Sequence, residues 1–162
     1  MKKLLMVLVF CVSCASPRMN HGIPNLAQVE PGIWRGGQPN AEGWAYLKSL
    51  GVNRSIKLNP VSEGSDVMAE SNSIAVVYLP IDWSEQLILK PDAGTVYYAV
   101  QAVTNGTYIH CLHGQDRTGL IVGVYRVNRE GWSKAVAREE MRTNGFHAVL
   151  FGLSRYWWEE VK

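Results

Sequence analysis

The chain has 162 residues, 47% of them hydrophobic, which suits one globular domain with a buried core and gives no basis for a second domain. Of its 16 Lys and Arg residues, two lie within the first three positions, and the other 14 face 14 Asp and Glu residues. Because the rest of the chain is therefore about neutral, bulk charge gives no basis for binding to nucleic acid or to a membrane surface.

The N-terminus has the pattern of an export signal. Lys2 and Lys3 precede an apolar run over residues 4–12, and small residues follow around Cys14. This run is too short to span a bilayer. We therefore predict a signal segment over residues 1–14 and an exported protein, which is periplasmic, secreted, or anchored to a membrane through a lipidated Cys14. The ending Val12-Ser13-Cys14 resembles a bacterial lipobox and favours the lipoprotein.

The remaining sequence predicts strands that alternate with helices. A polar stretch over residues 15–28 comes first. Strands are then predicted within residues 29–39, 52–58, 73–79 and 107–110. Helices are predicted over residues 41–50, 91–104, 118–129, 133–143 and 148–161, with a weaker one within 59–71. This order predicts one α/β domain over residues 29–162, with a mainly parallel sheet flanked by helices.

One segment, at the junction of the last predicted strand and the next helix, carries the chemistry. Its sequence is His110-Cys111-Leu112-His113-Gly114-Gln115-Asp116-Arg117-Thr118-Gly119. The backbone N–H groups of such a loop and the N-terminus of the helix can point at one anion. A thiol placed there beside an Arg loses its proton readily and becomes a nucleophile, and a guanidinium can hold two phosphate oxygens at once. The segment therefore predicts a phosphate cradle, with Gly114 permitting close backbone approach.

This segment resembles the catalytic loop of the protein tyrosine phosphatase superfamily, which reads His-Cys, five residues, Arg, then Ser or Thr. The resemblance implies the cysteine-phosphatase fold and a phosphomonoester hydrolase that acts through a phosphocysteine intermediate, with no metal and no cofactor. By position, Cys111 takes the phosphoryl group, Arg117 binds it, Thr118 aids breakdown of the thiophosphate, and His110 orders the loop. The loop residues predicted to contact substrate are Leu112, His113, Gly114, Gln115 and Asp116.

The same resemblance implies a general acid, an Asp on a mobile loop some thirty residues before the cysteine. Asp82 fits, because it lies 29 residues before Cys111 and is followed by Trp83. Asp116 is the competing candidate, since some relatives carry an Asp just before the Arg. Asp92 is a third candidate, although its position suits the start of a helix.

Two cationic residues outside the loop are candidate ligands of a second phosphate. Arg35 lies in a segment, residues 32–39, that resembles an element near the start of compact dual-specificity-like members of the superfamily. Lys57 lies near the end of the strand predicted within residues 52–58. The alternative for both is a structural ion pair or a solvated side chain.

For the substrate, export favours a nutrient or environmental phosphate, and the spacing from Asp82 to Cys111 and the compact body resemble the tyrosine-phosphatase-like phytases. These features favour an inositol polyphosphate such as phytate. The alternatives are a protein tyrosine or dual-specificity phosphatase, a phosphatase of lipids or other monoesters, and a catalytically silent phosphate-binding module. A sulfur-transfer domain of the rhodanese type would not need the acid or the Arg-Thr pair. We further expect a monomer and full activity in the presence of a chelator.

Overall fold

The structure is a computed structural model that describes residues 18–162, so the predicted signal segment and Cys14 lie outside the described residues. The strands are β1 (Met19–Asn20), β2 (Ile23–Pro24), β3 (Ala27–Glu30), β4 (Ile33–Gly36), β5 (Arg54–Lys57), β6 (Ala75–Tyr78) and β7 (Thr107–His110). The helices are α1 (Ala41–Ser49), α2 (Val67–Ser71), α3 (Trp83–Leu87), α4 (Ala93–Gln101), α5 (Asp116–Glu130), α6 (Lys134–Thr143) and α7 (Phe151–Glu160), with a 3-10 turn at Val61–Glu63.

The predicted α/β fold with a mainly parallel sheet is confirmed. Within residues 18–162, five strands form one sheet in the order β3-β4-β7-β5-β6, and β1 pairs with β2 in a separate hairpin. The pairs β4–β7, β7–β5 and β5–β6 are parallel, and only the edge strand β3 is antiparallel to its neighbour. Gly36 and Lys57 both stand opposite His110, so β4, β5 and β7 end at the same edge of the sheet.

Helices cover both faces of this sheet. Tyr108 and Ile109 are both fully buried, and as neighbours on β7 they point to opposite faces. Tyr108 packs with residues of α1 and α2, whereas Ile109 packs with residues of α4, α5, α6 and α7. The central strand is therefore buried on both sides, as expected in a parallel sheet.

Three local features differ from the sequence expectation. Residues 18–28, predicted only as a polar stretch, contain β1, β2 and the start of β3, and Ile23 is fully buried. The weak helix within 59–71 is interrupted at Gly64, which has φ 148, and becomes the 3-10 turn followed by α2. The unpredicted α3 begins with a capping box, in which the Asp82 side chain accepts from Glu85 N–H and the Glu85 side chain accepts from Asp82 N–H.

The described part of the chain contains no helix that is both long and apolar enough to cross a membrane.

Candidate active site

The segment from Cys111 to Arg117 forms a loop at the edge of the sheet where β4, β5 and β7 end, and it leads into α5. In sheets with parallel strands, ligands bind at this edge. A small cavity of about 50 Å³ opens onto the loop. Its lining residues are Glu63, Trp83, Gln86, Cys111, Leu112, His113, Asp116 and Arg117.

Three successive carbonyl groups of the loop are bound from outside it. The carbonyl of Leu112 accepts from the N–H of Gln38 at 2.9 Å, and the carbonyl of His113 accepts from the Asn25 side chain at 2.8 Å. The carbonyl of Gly114 accepts from Arg35 Nη2 at 3.0 Å. In a trans peptide the next N–H points the opposite way, so the N–H groups that follow these carbonyls turn into the loop. The loop therefore presents donors to an anion at its centre.

Only glycine fits at position 114 in this arrangement. Its φ is +76, and a Cβ added to it would lie 2.2 Å from the backbone carbon of Gly36. Both the left-handed backbone and the contact with β4 exclude a side chain. The loop thus lies directly on the end of the neighbouring strand.

Cys111 is the first residue of this loop. Its thiol is 4% exposed, and the Gly114 N–H donates to its Sγ at 3.3 Å. The N-terminus of α5 lies five residues further along the chain. Cys111 lines the cavity, and the sequence motif predicts it as the nucleophile.

Arg117 faces the cavity and is paired with Glu63. Its two terminal nitrogens donate to the two Glu63 carboxylate oxygens at 2.6 and 2.9 Å. Arg117 is 3% exposed, and the Glu63 side chain is 12% exposed. A phosphate presents oxygens to a guanidinium in the same bidentate geometry, so a phosphate bound to Arg117 in this way would compete with Glu63.

A buried polar cluster supports the loop from the side of β5 and α2. Asp66 accepts from Gln38, and its second oxygen lies 2.9 Å from His110 Nε2. Lys57 Nζ lies 3.4 Å from Asp66 and donates to Gln38. Burial raises the pKa of Asp66, but the hydrogen bonds from His110 and Gln38 outweigh it and hold that pKa below its ordinary value. His110 is thereby fixed in orientation, and its ring stacks on Tyr108.

Neither Arg35 nor Lys57 lies at the mouth of the cavity, where a ligand for a second phosphate was expected. Each is only 2% exposed. Arg35 lies behind the loop and bonds to Gly114, and Lys57 is held in the polar cluster with Asp66 and Gln38. A second phosphate site at these two residues stays a prediction, and in this structure both side chains are buried and hydrogen-bonded to the loop or to the polar cluster beside it.

The two candidate acids lie on different elements. Asp82 is the N-cap of α3, where the Ser84 hydroxyl and the Glu85 N–H donate to it. These hydrogen bonds, from Ser84 first, lower the pKa of Asp82, and the charge of Arg117 acts in the same direction. Asp116 lines the cavity and accepts from the backbone N–H of His147 at 2.7 Å. Asp92 caps α4 and accepts from Thr95 N–H, as its position suggested.

Some of the other loop residues line the cavity, and others contact neighbouring elements of the fold. Leu112 and His113 line the cavity, and His113 is exposed. The Gln115 side chain points away, toward Gly145 at the end of α6. The Thr118 hydroxyl is fully buried and lies 3.4 Å from the carbonyl of Gly36. Among residues 18–162, no group of three or more His, Cys, Asp and Glu side chains is placed to hold a metal ion.

Sequence reasoning missed Glu63, Asp66 and Gln38 as parts of the site. Glu63 and Asp66 follow β5 at its carboxyl end, and this position was a usable signal because ligands gather where parallel strands end. Gln38 belongs to the Gly-Gly-Gln-Pro loop after β4, at the same edge. Asp66 contacts His110 across 44 positions of sequence, and Glu63 contacts Arg117 across 54. A local sequence pattern alone does not reveal contacts over such separations.

Residues 23–148 match the family model described as "Tyrosine phosphatase family". The chain belongs to this family. The match spans the described domain from β2 to the loop before α7 and includes the whole catalytic loop. The resemblance identified from His110 to Gly119 is thus confirmed at the level of the family.

Several curated relatives and solved structures are similar to this chain. The dual specificity protein phosphatase TpbA of Pseudomonas aeruginosa strain UCBPP-PA14 is 31% identical over 129 residues, which are 75% of this chain and 55% of that protein. Inositol diphosphatase DSP2 of Oryza sativa subsp. japonica is 32% identical over 108 residues, covering 63% of this chain and 53% of that protein. The chain therefore spans about half the length of these curated relatives.

The crystal structure of P. aeruginosa TpbA has a TM-score of 0.70 at 25% identity and covers 90% of both chains. A second structure of that protein, in complex with pTyr, is similar to the same extent. The core catalytic domain of the PP-IP phosphatase SIW14 from S. cerevisiae has a TM-score of 0.70 at 19% identity, covering 93% of this chain and 89% of that one, and it shares the fold.

Proposed function

We propose that this protein is a cysteine-dependent phosphomonoester hydrolase. The observation that carries the proposal is the position of Cys111 Sγ, 3.3 Å from the Gly114 N–H inside a loop whose carbonyls are turned outward. Membership of the tyrosine phosphatase family supports it. Such an arrangement suits a phosphate dianion with a nucleophile beside it, which supports the proposal.

The reaction follows from these positions. The Cys111 thiolate attacks phosphorus, the bond from phosphorus to the ester oxygen breaks, and that oxygen takes a proton from the general acid, Asp82 or Asp116. Arg117 and the loop N–H groups stabilise the charge on the transferring phosphoryl group. Water then attacks the phosphocysteine, the S–P bond breaks to restore the thiolate, and the proton of that water passes to the same carboxylate. The Thr118 hydroxyl assists the second step.

For the substrate, the geometry best supports a monoester with one phosphate on an aromatic group, such as phosphotyrosine. The cavity wall offers the indole of Trp83 and the apolar side chain of Leu112, and it carries two carboxylates, Glu63 and Asp116. Arg35 and Lys57, the cations expected to bind a second phosphate, are buried. An aromatic leaving group packs on such a wall, whereas a polyanion would be repelled by the carboxylates. The relation to TpbA, solved with pTyr, supports this choice.

An inositol polyphosphate or inositol diphosphate, phytate included, is the second candidate. It was favoured by the sequence resemblance to phytases, and relatives named inositol diphosphatases at about 30% identity support it. His113, which is exposed at the cavity, is the proposed contact for a second phosphate.

The deciding experiment compares phosphate release from a phosphotyrosine peptide, phytate and an inositol diphosphate by the full chain and by its Cys111→Ser variant. We expect release mainly from the peptide, abolished by the substitution. Release mainly from an inositol substrate, also abolished, would transfer the assignment to the second candidate. Silence on all three substrates, together with phosphate binding, would support the non-catalytic binding module instead.

We also propose that the protein is exported and anchored through Cys14. The support is the apolar run over residues 4–12 and the lipobox-like ending before Cys14. In a bacterial host, the full chain should incorporate labelled palmitate and fractionate with membranes. Cys14→Ser should abolish the label, and Cys11→Ser, its matched control three residues earlier, should retain it. Loss of label in both variants, or in neither, would contradict the assignment of Cys14.

A further inference from the structure

Arg35 is a buried cation on the inner side of the catalytic loop. It stands in β4 opposite Ile109 of β7, one residue before the strand ends at the loop. Its side chain is 2% exposed, so no ligand in the cavity reaches it. Burial of a guanidinium destabilises the fold unless its charge is compensated or its N–H groups donate hydrogen bonds. Arg35 is therefore expected to have a specific partner.

The hydrogen bonds connect Arg35 to the nucleophile through a single residue. Arg35 Nη2 donates to the carbonyl of Gly114 at 3.0 Å, and the N–H of Gly114 donates to Cys111 Sγ at 3.3 Å. Because both groups belong to Gly114, the guanidinium fixes the residue that points its N–H at the sulfur.

The charge of Arg35 is incompletely neutralised. Within residues 18–162, its Nε and Nη1 atoms have no hydrogen-bond partner. The carboxylate of Glu140, the strongest charge acting on it, is itself bonded to Arg126. Burial lowers the pKa of Arg35 to about 10, while the charges of Glu140 and Cys111 oppose that change. The guanidinium therefore stays protonated at neutral pH, and its field extends to the sulfur.

We propose that Arg35 is a positioning residue that stabilises the Cys111 thiolate from behind the loop, by holding Gly114 and by its positive charge. The proposal rests on the proposed role of Cys111 as nucleophile. The other charged or titratable groups around the thiol are Lys57 of β5, Glu63 of the 3-10 turn, Asp66 at the start of α2, Tyr108 and His110 of β7, His113 of the loop, and Asp116 and Arg117 of α5. All of them remain in the variants below.

The test measures the pH profile of iodoacetamide alkylation of Cys111 in the full chain, read by mass spectrometry of the peptide that carries it. Arg35→Gln removes the charge and keeps a donor for Gly114. Arg35→Lys keeps a positive charge but loses the planar set of N–H donors of the guanidinium. Arg54→Met is the matched control, because Arg54 also donates to a backbone carbonyl but stands at the start of β5, at the opposite end of the sheet.

We expect the midpoint of the profile to rise by about one pH unit in Arg35→Gln, which means roughly tenfold less thiolate at a pH below both midpoints. The rise should be smaller in Arg35→Lys and absent in Arg54→Met. An unchanged midpoint in Arg35→Gln overturns the proposal. If that variant does not fold, Arg35→Met, which removes both the charge and the donors, takes its place, and an unchanged midpoint in it overturns the proposal. Alkylation needs no turnover, so the result is independent of whether the wild-type protein releases phosphate from any substrate.

Discussion

At the scale of single residues, the contact between Glu63 and Arg117 bears on what the cavity can bind. Its carboxylate holds both terminal nitrogens of Arg117, at 2.6 and 2.9 Å. A phosphate must displace this carboxylate or bind beside it, and either event opposes binding. This pairing was not predicted, since Glu63 lies in an interrupted helical segment 54 positions from Arg117.

Glu63→Gln should therefore strengthen inhibition by inorganic phosphate. Removing the negative charge while keeping a similar shape should lower the inhibition constant by roughly tenfold, which corresponds to about 1.4 kcal/mol. Steady-state kinetics with an aryl phosphate would measure it, and Glu70→Gln, an exposed carboxylate in α2, is the control. Weaker inhibition in Glu63→Gln would contradict competition and show that Glu63 holds Arg117 in its active position.

The general acid is also a question of single residues. Asp82→Asn keeps the cap of α3, since Asn is as good an N-cap as Asp, and so the variant isolates proton donation. We expect it to lower kcat for phenyl phosphate by roughly 100-fold, with a smaller loss for 4-nitrophenyl phosphate, whose leaving group needs no proton. If this leaving-group dependence appears in Asp116→Asn and not in Asp82→Asn, Asp116 is the acid.

At the scale of elements, the short helix α3 forms part of one wall of the cavity. It starts at the Asp82 cap, carries Trp83 on the wall, and packs against α7 through Gly152. A Cβ at Gly152 would lie 1.9 Å from the carbonyl oxygen of Glu85 and 2.0 Å from that of Leu89. The two elements can approach each other this closely only because position 152 has no side chain.

Gly152→Ala should displace α3 and so change the activity from outside the cavity. We expect a destabilisation of about 1–3 kcal/mol, as for overpacked sites, and a larger loss of kcat than of phosphate binding. Thermal unfolding and phosphate inhibition would measure the two effects. Gly94→Ala in α4 is the control, because a Cβ there would meet only the Asp92 carboxylate. Unchanged kinetics in Gly152→Ala would show that the position of α3 does not matter for turnover.

The elements that sequence reasoning predicted are those with strong local patterns. Strands β5, β6 and β7 and helices α1, α4, α5 and α6 lie within a few residues of their predicted bounds, because apolar periodicity and end signals mark them. The hairpin before β3 was missed because each of its strands has only two residues and Ile23 is the one fully buried residue among residues 19–24. Helix α3 was missed although its Asp-x-x-Glu capping box is visible in the sequence.

The catalytic loop could be predicted because its residues are contiguous. Cys111 and Arg117 are six positions apart, and the motif alone indicates their proximity. The residues that hold the loop come from β4 and from the segments after β4 and β5, and their contacts exist only once the sheet has formed. Arg35 and Lys57 were predicted to bind a second phosphate, and the burial of both side chains is a feature that the sequence does not show directly.

At the scale of the whole molecule, the buried pair of Asp66 and His110 links stability to pH. The hydrogen bonds that hold Asp66 in the fold lower its pKa below the unfolded value of 3.8. As pH falls, the unfolded chain is therefore protonated at Asp66 before the folded one. The stability that Asp66 contributes is present above about pH 4 and is lost as pH falls through the lower, folded-state pKa.

Asp66→Asn should cost about 1–3 kcal/mol of stability at pH 7, as expected for the loss of hydrogen bonds to buried charged groups. The difference from the wild-type protein should shrink as pH falls from 5 to 3. Urea unfolding at several pH values would measure both, with Glu70→Gln as the control. A difference that is constant over this range would show that the charge of Asp66 is not what stabilises the fold.

The outward carbonyls of the catalytic loop also bear on how the protein folds. Their donors, on Asn25, Arg35 and Gln38, lie about seventy-five to ninety positions earlier in the chain, and the two side-chain contacts span 88 and 79 residues. Contacts of such high sequence separation form slowly, because the long intervening stretch of chain must first bring its two ends together. A nascent chain would thus acquire its anion site only when most of the domain has been synthesised and assembled. Vanadate or phosphate should accordingly act as a ligand of the native state alone, and the appearance of binding during refolding would report the completion of the sheet.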